Sequence, residues 1–365
     1  MKKTLIAVAV ATSLAGVASA DSVTVYGLLD GGLGFKEYSL KTLSTGAKVK
    51  TKEFGVTDGH MSGNRFGFKG VEDLGNGTKV AFDLEGGFTL ADGKSGQGTR
   101  LFGRKATVGI VDADLGAIYA GRQHGAVGHT TFDEGFGDTF YHRGTGLFGN
   151  ATGTRQDSNV RYKSPDLGGA TLQLSWSGTH KTEGTKSTHK DHVQAAVDFK
   201  LDALKVAAGL IYTKDNTAKT NHFAAIGAVN YDFGPVALYT RVAGGKLAGG
   251  VNGLLGNAFY AGTDDTMKKN RAAFDKLFAW SLGLSAPVSD SGKLMFAFEH
   301  GTEKQSAGNG KLKGWNLKLA YTEALSKRTT AYAGAYYAVG KEYVGGNATR
   351  KYKGLEGNIG LRHRF

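Results

Sequence analysis

Residues 354–365 read Gly-Leu-Glu-Gly-Asn-Ile-Gly-Leu-Arg-His-Arg-Phe, and this stretch decides the fold. Ile359, Leu361 and Phe365 share one parity, and the other parity holds only polar residues or glycine in this part of the stretch. Successive side chains of a β-strand point to opposite faces. The alternation therefore predicts a strand with one apolar and one polar face.

The same period of two recurs along the chain from Asp21 onward and predicts sixteen strands. They lie near residues 22–35, 62–72, 78–90, 100–112, 117–123, 157–164, 170–178, 192–201, 204–213, 222–233, 236–246, 276–286, 293–300, 314–323, 329–339 and 354–365. A soluble β-sandwich is the alternative, but its strands usually have about five or six residues, and most of these are longer. Aromatic residues near the ends of the apolar faces indicate anchors at membrane interfaces. They are Trp176, Trp280, Trp315, Tyr321 and Phe365.

The connectors between these strands alternate in length. Short turns rich in Gly, Pro, Asn and Asp, such as 73–77 and 289–292, alternate with longer polar connectors. The longer connectors lie near 36–61, 91–99, 124–156, 179–191, 214–221, 247–275, 301–313 and 340–353. Outer-membrane barrels have this layout, with the turns in the periplasm and the loops outside. The predicted fold class is therefore all-β, a 16-stranded antiparallel transmembrane β-barrel wide enough for an aqueous channel.

The first twenty residues have the pattern of a secretory signal peptide. Met1-Lys2-Lys3 is basic, residues 5–17 are apolar, and Ala18-Ser19-Ala20 supplies small residues for cleavage after Ala20. The apolar run is too short for a membrane-spanning helix, which needs about 20 residues. We expect a signal peptide at 1–20, one barrel at 21–365, and a location in the outer membrane of a Gram-negative bacterium.

Composition excludes chemistry that depends on thiols and raises nucleic-acid binding as an alternative function. The chain has no cysteine, so thiol catalysis and thiolate metal sites are excluded. It has 57 glycines and only 3 prolines, as suits long paired strands. The formal net charge of +13 at pH 7 is also typical of nucleic-acid binding, and the placement of the bases decides between the readings.

The parity of each strand places the charges. Lipid cannot solvate polar groups, so the apolar parity must face outward and the other parity must face the lumen. This rule places many bases in the lumen: Arg65, Lys69, Lys105, Arg161, Lys163, Lys205, Arg241, Lys293, Lys318, Arg362 and Arg364. The lumen acids are fewer: Asp83, Glu85, Asp198, Asp232 and Glu299. Bases spread around a lumen do not form a stripe for nucleic acid, whereas a basic pore lining attracts anions.

Several segments together resemble a known family, the trimeric general porins of beta-proteobacteria, which are the neisserial-type Gram-negative porins. The segments are 23–30, 64–77, 121–123, 159–165, 325–329 and 360–365, and they run in family order. The resemblance implies a homotrimer and a third long loop, 124–156, that folds into the pore and narrows it. It also implies that Phe365 is the signal read by the barrel-assembly machinery.

The third long loop carries the acids Asp133, Glu134 and Asp138. Our hypothesis is that they lie across the pore from Arg65, Lys69, Arg161 and Lys163 and set a transverse field at a constriction. The alternative is ordinary surface charge on an exposed loop.

Other motifs do not indicate chemistry. Residues 144–149 match a dinucleotide pattern but lack the strand-turn-helix unit around it, and His124, His129 and His142 lack metal-ligand spacing. We expect no catalytic residue, cofactor, metal or nucleic acid. The predicted function is passive diffusion of ions and small hydrophilic solutes, with a mild anion preference. The expected partners are these solutes, outer-membrane lipid and lipopolysaccharide.

Two alternatives to a general diffusion channel stay open. One is a surface adhesin or binding barrel that acts through its extracellular loops, and the other is a substrate-specific channel. The adhesin would have a plugged lumen, for which we expect apolar inward residues or a large extra domain, and the sequence indicates neither.

Overall fold

The protein is one antiparallel sheet closed on itself. The computed structural model describes residues 22–129, 155–183, 186–246 and 274–365. Its strands are β1 Ser22–Thr42, β2 Lys48–Asp58, β3 Arg65–Gly75, β4 Thr78–Gly87, β5 Lys105–Asp112, β6 Gly116–His124, β7 Arg155–Lys163, β8 Ala170–Glu183, β9 Lys186–Leu201, β10 Leu204–Asp215, β11 Thr220–Asp232, β12 Ala237–Lys246, β13 Phe274–Pro287, β14 Gly292–Gln305, β15 Gly310–Ala324, β16 Thr329–Val344 and β17 Asn347–Arg364. A short helix, α1, spans Ala126–His129. Among the described residues, no helix is long and apolar enough to cross a membrane.

The described residues form seventeen strand segments, which fill sixteen positions around the barrel. Residues 22–28 of β1 pair with β3, and residues 31–41 of β1 pair with β2. Both partners are antiparallel to β1, so β2 and β3 follow each other in one strand position. Strand β17 pairs with the other edge of β1, and Gly27 and Phe365 exchange two backbone hydrogen bonds of 3.1 Å at this seam. The sixteen-stranded barrel predicted from the sequence is confirmed.

Several predicted loops are strand in the structure. The connector predicted at 36–61 instead continues β1 to Thr42, turns, and returns as β2. The connectors predicted at 179–191, 301–313 and 340–353 are likewise mostly paired extensions of strands. Their sequences lack alternation because, beyond the lipid, both faces of a hairpin meet water and can be polar. Backbone pairing then continues without the period-two signal on which the prediction rested.

The two faces of the wall follow the predicted parity. On β13, Phe278, Trp280 and Leu282 are exposed on the outer surface, whereas Ala279 and Ser281 between them are buried. The exposed apolar side chains form the surface that lipid covers, since only apolar groups are stable there.

The inner face is divided into two regions. Strands β10–β16 carry small or apolar inward residues that are buried, among them Ala207, Ile226, Ala279, Ala297 and Ala320. The sequence-based expectation that apolar inward residues are lacking is therefore wrong on this side. The expectation failed because alanine and glycine on the polar parity were not counted as apolar. The same strands also carry buried inward charges, including Arg241, Glu299 and Lys318, whereas four of the predicted bases line one open cavity on β3, β5 and β7.

Gly32 shows how closely the strands approach at the seam between β1 and β17. A Cβ added there would overlap the backbone carbonyl oxygen of Ile359, whereas a Cβ added to Gly55 on β2 would meet nothing within 4 Å. We expect Gly32→Ala to lower the free energy of unfolding by about 1–3 kcal/mol, the usual cost of overpacking. Gly55→Ala is the matched control, for which a change within about 0.5 kcal/mol is expected. Urea unfolding of both variants measures this, and equal stability of the two would contradict the close approach.

Candidate functional site

A cavity of about 530 Å³ lies against the inner wall, and its lining includes four of the lumen bases and one of the lumen acids predicted from the sequence. Lys69, Lys105, Arg161 and Lys163 line it from β3, β5 and β7. Asp83 on β4 is the only acid among the described residues of its lining. The remaining polar lining comes from hydroxyl and amide groups, so the cavity has a surplus of positive charge.

The single acid is already compensated. The Lys105 Nζ atom lies 2.8 Å from Asp83 Oδ2, and the Tyr26 hydroxyl donates to Asp83 Oδ1 at 2.6 Å. Lys69 Nζ lies 5.4 Å from the centroid of the Tyr26 ring, within the range of a cation–π contact. The surplus is therefore carried by Lys69, Arg161 and Lys163.

Arg161 is held rigidly on the wall. Its Nε donates to Gln123 Oε1 at 3.1 Å, and its Nη1 donates to Gln173 Oε1 at 2.8 Å. Its Cζ lies 5.3 Å from the centroid of the Tyr119 ring. The two amide oxygens accept hydrogen bonds from the Arg161 guanidinium without neutralising its charge, so Arg161 presents a fixed positive charge. Lys163, on the same strand, is exposed.

A cluster of arginines next to this cavity was missed by the sequence analysis. Arg104 Nε lies 2.5 Å from Glu85 Oε1, and Arg155 Nε donates to the Arg104 carbonyl oxygen at 2.8 Å. Arg122 Nε donates to the Gly103 carbonyl oxygen at 2.7 Å, and its Nη1 pairs with Asp157.

The parity rule could not find these arginines. Arg104 precedes β5, and the register of β6 against β7 shifts between Gly121 and Gln123, next to Arg122. A β-bulge of this kind re-aims side chains. The only sequence signal was the family segment 121–123, which contains Arg122.

The other predicted lumen bases lie outside this cavity. Arg65 Nε donates to the Gly63 carbonyl oxygen at 2.9 Å, and Arg362 Nη1 donates to Ser62 Oγ at 3.4 Å. Arg364 is exposed next to the end of the chain. Their positions follow the inward parity, and none of the three lines the cavity that holds Lys69 and Arg161.

Arg241 points inward and is enclosed. Its Nη2 lies 2.7 Å from Glu299 Oε1, and Lys318 Nζ lies 3.1 Å from the same oxygen. Arg241 is 3% exposed, Lys318 1% and Glu299 0%. Asn316 Nδ2 also donates to Glu299 Oε2 at 2.8 Å. Two cations therefore share one carboxylate within the wall, and Arg241 is shielded from solvent.

The third long loop begins inside the barrel. The backbone N–H of Ala126 donates to Ser175 Oγ at 2.9 Å, and that of Val127 donates to Gln194 Oε1 at 2.9 Å. Ser175 and Gln194 are buried on the inner faces of β8 and β9, and Ala126 and Val127 are 0% exposed. The chain after β6 therefore lies against the inner wall at α1. Asp133, Glu134 and Asp138 lie outside the described residues.

Comparison with known proteins shows a consistent similarity. The profile described as Gram-negative porin matches residues 6–342. An outer membrane porin protein of Bordetella pertussis is 30% identical over 398 residues, covering 100% of both chains. The major outer membrane protein P.IB of Neisseria meningitidis serogroup B is 25% identical over 376 residues, again covering 100% of both. The anion-selective porin from Comamonas acidovorans has the same fold, with a TM-score of 0.68, 22% identity, and coverage of 94% of this chain and 99% of that one.

Proposed function

The chain belongs to the Gram-negative porin family and is an outer-membrane diffusion channel, and we propose that its lumen favours small anions over cations. The observation that carries the proposal is the cavity on the inner wall. Lys69, Arg161 and Lys163 line it, and the one acid among its described lining residues, Asp83, is paired with Lys105. A water-filled passage lined by uncompensated bases attracts anions and repels cations.

The position of α1 supports a narrowed passage. The chain enters the barrel at Ala126 and is fixed to β8 and β9 by two hydrogen bonds. We propose that the rest of this loop carries Asp133, Glu134 and Asp138 to the side of the lumen opposite the basic wall. Solutes would then pass between opposed charges, which orient polar molecules.

The remaining features of the proposal concern maturation and partners. Residues 1–20 are removed as a signal peptide, Phe365 directs recognition by the barrel-assembly machinery, and the mature barrel forms a homotrimer in contact with lipopolysaccharide. The channel performs no chemical reaction. The similarity to a porin named as anion-selective supports the charge preference.

The adhesin is the second candidate because the inner face of β10–β16 is buried and carries a cluster of small and apolar residues beside the network of Arg241, Glu299 and Lys318. A lumen filled from that side would leave no path for solutes, and function would pass to the external hairpins. The open cavity on β3–β7 favours the channel.

Liposome swelling separates these candidates. Vesicles containing the refolded trimer are transferred to isotonic solutions of neutral sugars of increasing size, with protein-free vesicles as the control. We expect swelling whose rate falls smoothly with solute size and does not saturate. Absence of swelling with correctly folded protein would support the adhesin, and saturation by a single solute would indicate a substrate-specific channel.

A further inference from the structure

A second cavity, of about 470 Å³, lies on the inner wall beside the short turns that follow β7 and β9. Short turns lie on the periplasmic side of such barrels, so we call it the periplasmic cavity. It is a neighbour of the basic cavity on β3–β7. Gln173 lines the basic cavity, and its Nε2 atom donates to Asp198 Oδ2 of the periplasmic cavity at 3.5 Å.

The charges that line the periplasmic cavity are balanced. Its described lining holds two acids and two bases, which are Asp166, Asp198, Lys200 and Lys205. Asp166 belongs to the turn, because its Oδ1 atom accepts a hydrogen bond from the Gly169 backbone N–H at 2.6 Å. The basic cavity has four bases and one acid among its described lining residues. A balanced lining suits a solute that carries both signs of charge, rather than a simple anion.

The register of the sheet places opposite charges around a gap. Asp198 of β9 lies opposite Ala207 of β10, and Ala207 lies opposite Ala228 of β11. Lys205 lies two residues before Ala207, on the same face, and directly opposite Asn230. Diagonal neighbours on adjacent strands, such as Asp198 and Lys205, are about 7–8 Å apart. The two small alanines therefore form the floor of a gap that is bordered by a carboxylate, an ammonium group and an amide.

Two groups at this gap lack a protein partner within the described part of the chain. Asn230 is only 6% exposed, and its Oδ1 atom accepts no hydrogen bond from a described residue. Lys205 is exposed on the inner wall, and no described carboxylate lies within ion-pair distance of its Nζ atom. A buried acceptor without a donor is unfavourable, so a ligand that supplies an N–H group to Asn230 is stabilised there.

We propose that the periplasmic cavity binds small α-amino acids in their zwitterionic form. The ammonium group of the amino acid donates to the Asp198 carboxylate and to Asn230 Oδ1, and its carboxylate binds the Lys205 ammonium group. Hydrogen bonds between charged groups are about twice as strong as neutral ones, so Asp198 and Lys205 supply most of the affinity. Asn230 supplies selectivity for a ligand with N–H donors.

The size and position of the cavity agree with this role. Its volume lies within the range of about 300–1,000 Å³ that is usual for small-molecule sites. The inference deepens the proposed function and rests on it, because it names a class of solute that the diffusion channel holds near its periplasmic end.

The test is saturation-transfer NMR on the refolded full-length mature protein in neutral detergent, with L-alanine as the probe. Two matched ligands each lack one feature of L-alanine. Isopropylamine has the ammonium group without the carboxylate, and the N,N,N-trimethyl betaine of L-alanine has both charges without an N–H donor. We expect each to bind about tenfold or more weakly than L-alanine, since each loses one charge-assisted contact. Equal binding of the three ligands would overturn the proposal.

Single substitutions assign the contacts. Asp198→Asn and Lys205→Gln should each weaken L-alanine binding about tenfold. Asn230→Ala should reduce the preference for L-alanine over its betaine, a change that a merely structural role would not produce. The matched controls are Lys214→Gln, which is exposed on the outer face of the same strand as Lys205, and Asp114→Asn in an exposed turn. Both should bind L-alanine like the wild type.

A charge exchange keeps the test valid if a single substitution disturbs the wall. The variant D198K/K205D preserves the total charge and reverses its direction, so it should bind L-alanine more tightly than either D198K or K205D alone. Unchanged binding in both Asp198→Asn and Lys205→Gln would overturn the proposal. Loss of binding in K69Q/K163Q would also overturn it, because the amino acid would then lie in the basic cavity. Binding is measured without transport, so failure of the channel proposal would appear separately, as a wild-type protein that neither conducts ions nor swells liposomes.

Discussion

Replacing Lys69 and Lys163 with glutamine is expected to lower the ratio of anion to cation permeability at least about threefold in 0.1 M KCl. Both side chains are exposed and line the cavity on the inner wall. A unit charge about 7 Å from a passing ion contributes about 0.6 kcal/mol in water, and two such charges about 1.2 kcal/mol. Screening over a Debye length of about 10 Å reduces this value. The shift should therefore shrink further in 1 M KCl.

Two matched variants make this result specific to the cavity. K341Q/K351Q removes the same charge from the outer surface and should leave the permeability ratio unchanged. Asp83→Asn removes the acid that pairs with Lys105 and should raise the ratio. An unchanged ratio in K69Q/K163Q, or equal changes in the inner and outer double variants, would contradict the role of the basic wall.

Glu299→Gln is expected to destabilise the folded barrel by about 3–5 kcal/mol. Glu299 is fully buried and contacts Arg241 at 2.7 Å and Lys318 at 3.1 Å. The neutral amide leaves two enclosed cations without their shared carboxylate, and breaking a buried pair from one side costs about this much. Equilibrium unfolding in urea, with the protein in lipid vesicles, measures the change.

Two controls separate this cost from general damage to the wall. Lys94→Gln removes an exposed ion pair with Asp92, whose atoms lie 2.8 Å apart, and should change stability by no more than about 1 kcal/mol. The triple variant R241M/E299L/K318M replaces the three charged members of the network with apolar groups and should recover part of the lost stability. If Glu299→Gln were as stable as the wild type, the network would not stabilise the wall.

The strand count and the facing of side chains could be predicted from the sequence because lipid enforces them. On β7, Val160 is exposed to lipid and Arg161 faces inward, as alternation requires. The hairpin containing β2 could not be predicted, because both of its faces meet water and neither must be apolar. Lysines at 48, 50 and 52 share its outer face, where a membrane-embedded strand would carry apolar residues.

The site was only partly predictable for a different reason. Parity gives the direction in which a side chain points but not its partners. The parity rule therefore predicts the same environment, the lumen, for Arg241 and Lys163. In the structure one is enclosed by Glu299 and the other is exposed. The position of Arg122 depends on a β-bulge, which adds one residue to the strand and breaks the alternation of inward and outward side chains. The two sides of the inner wall therefore differ: bases line an open cavity on β3–β7, whereas β10–β16 carry small and apolar residues with an enclosed charge network.

The reversal potential of the wild-type channel under a KCl gradient tests the central claim most directly. The refolded trimer is inserted into a planar bilayer of neutral lipid with different KCl concentrations on the two sides. We expect stepwise conductance and a reversal potential of the sign set by chloride permeating faster than potassium. A reversal potential of the opposite sign would contradict the account, because the basic wall would then not control the passage of ions.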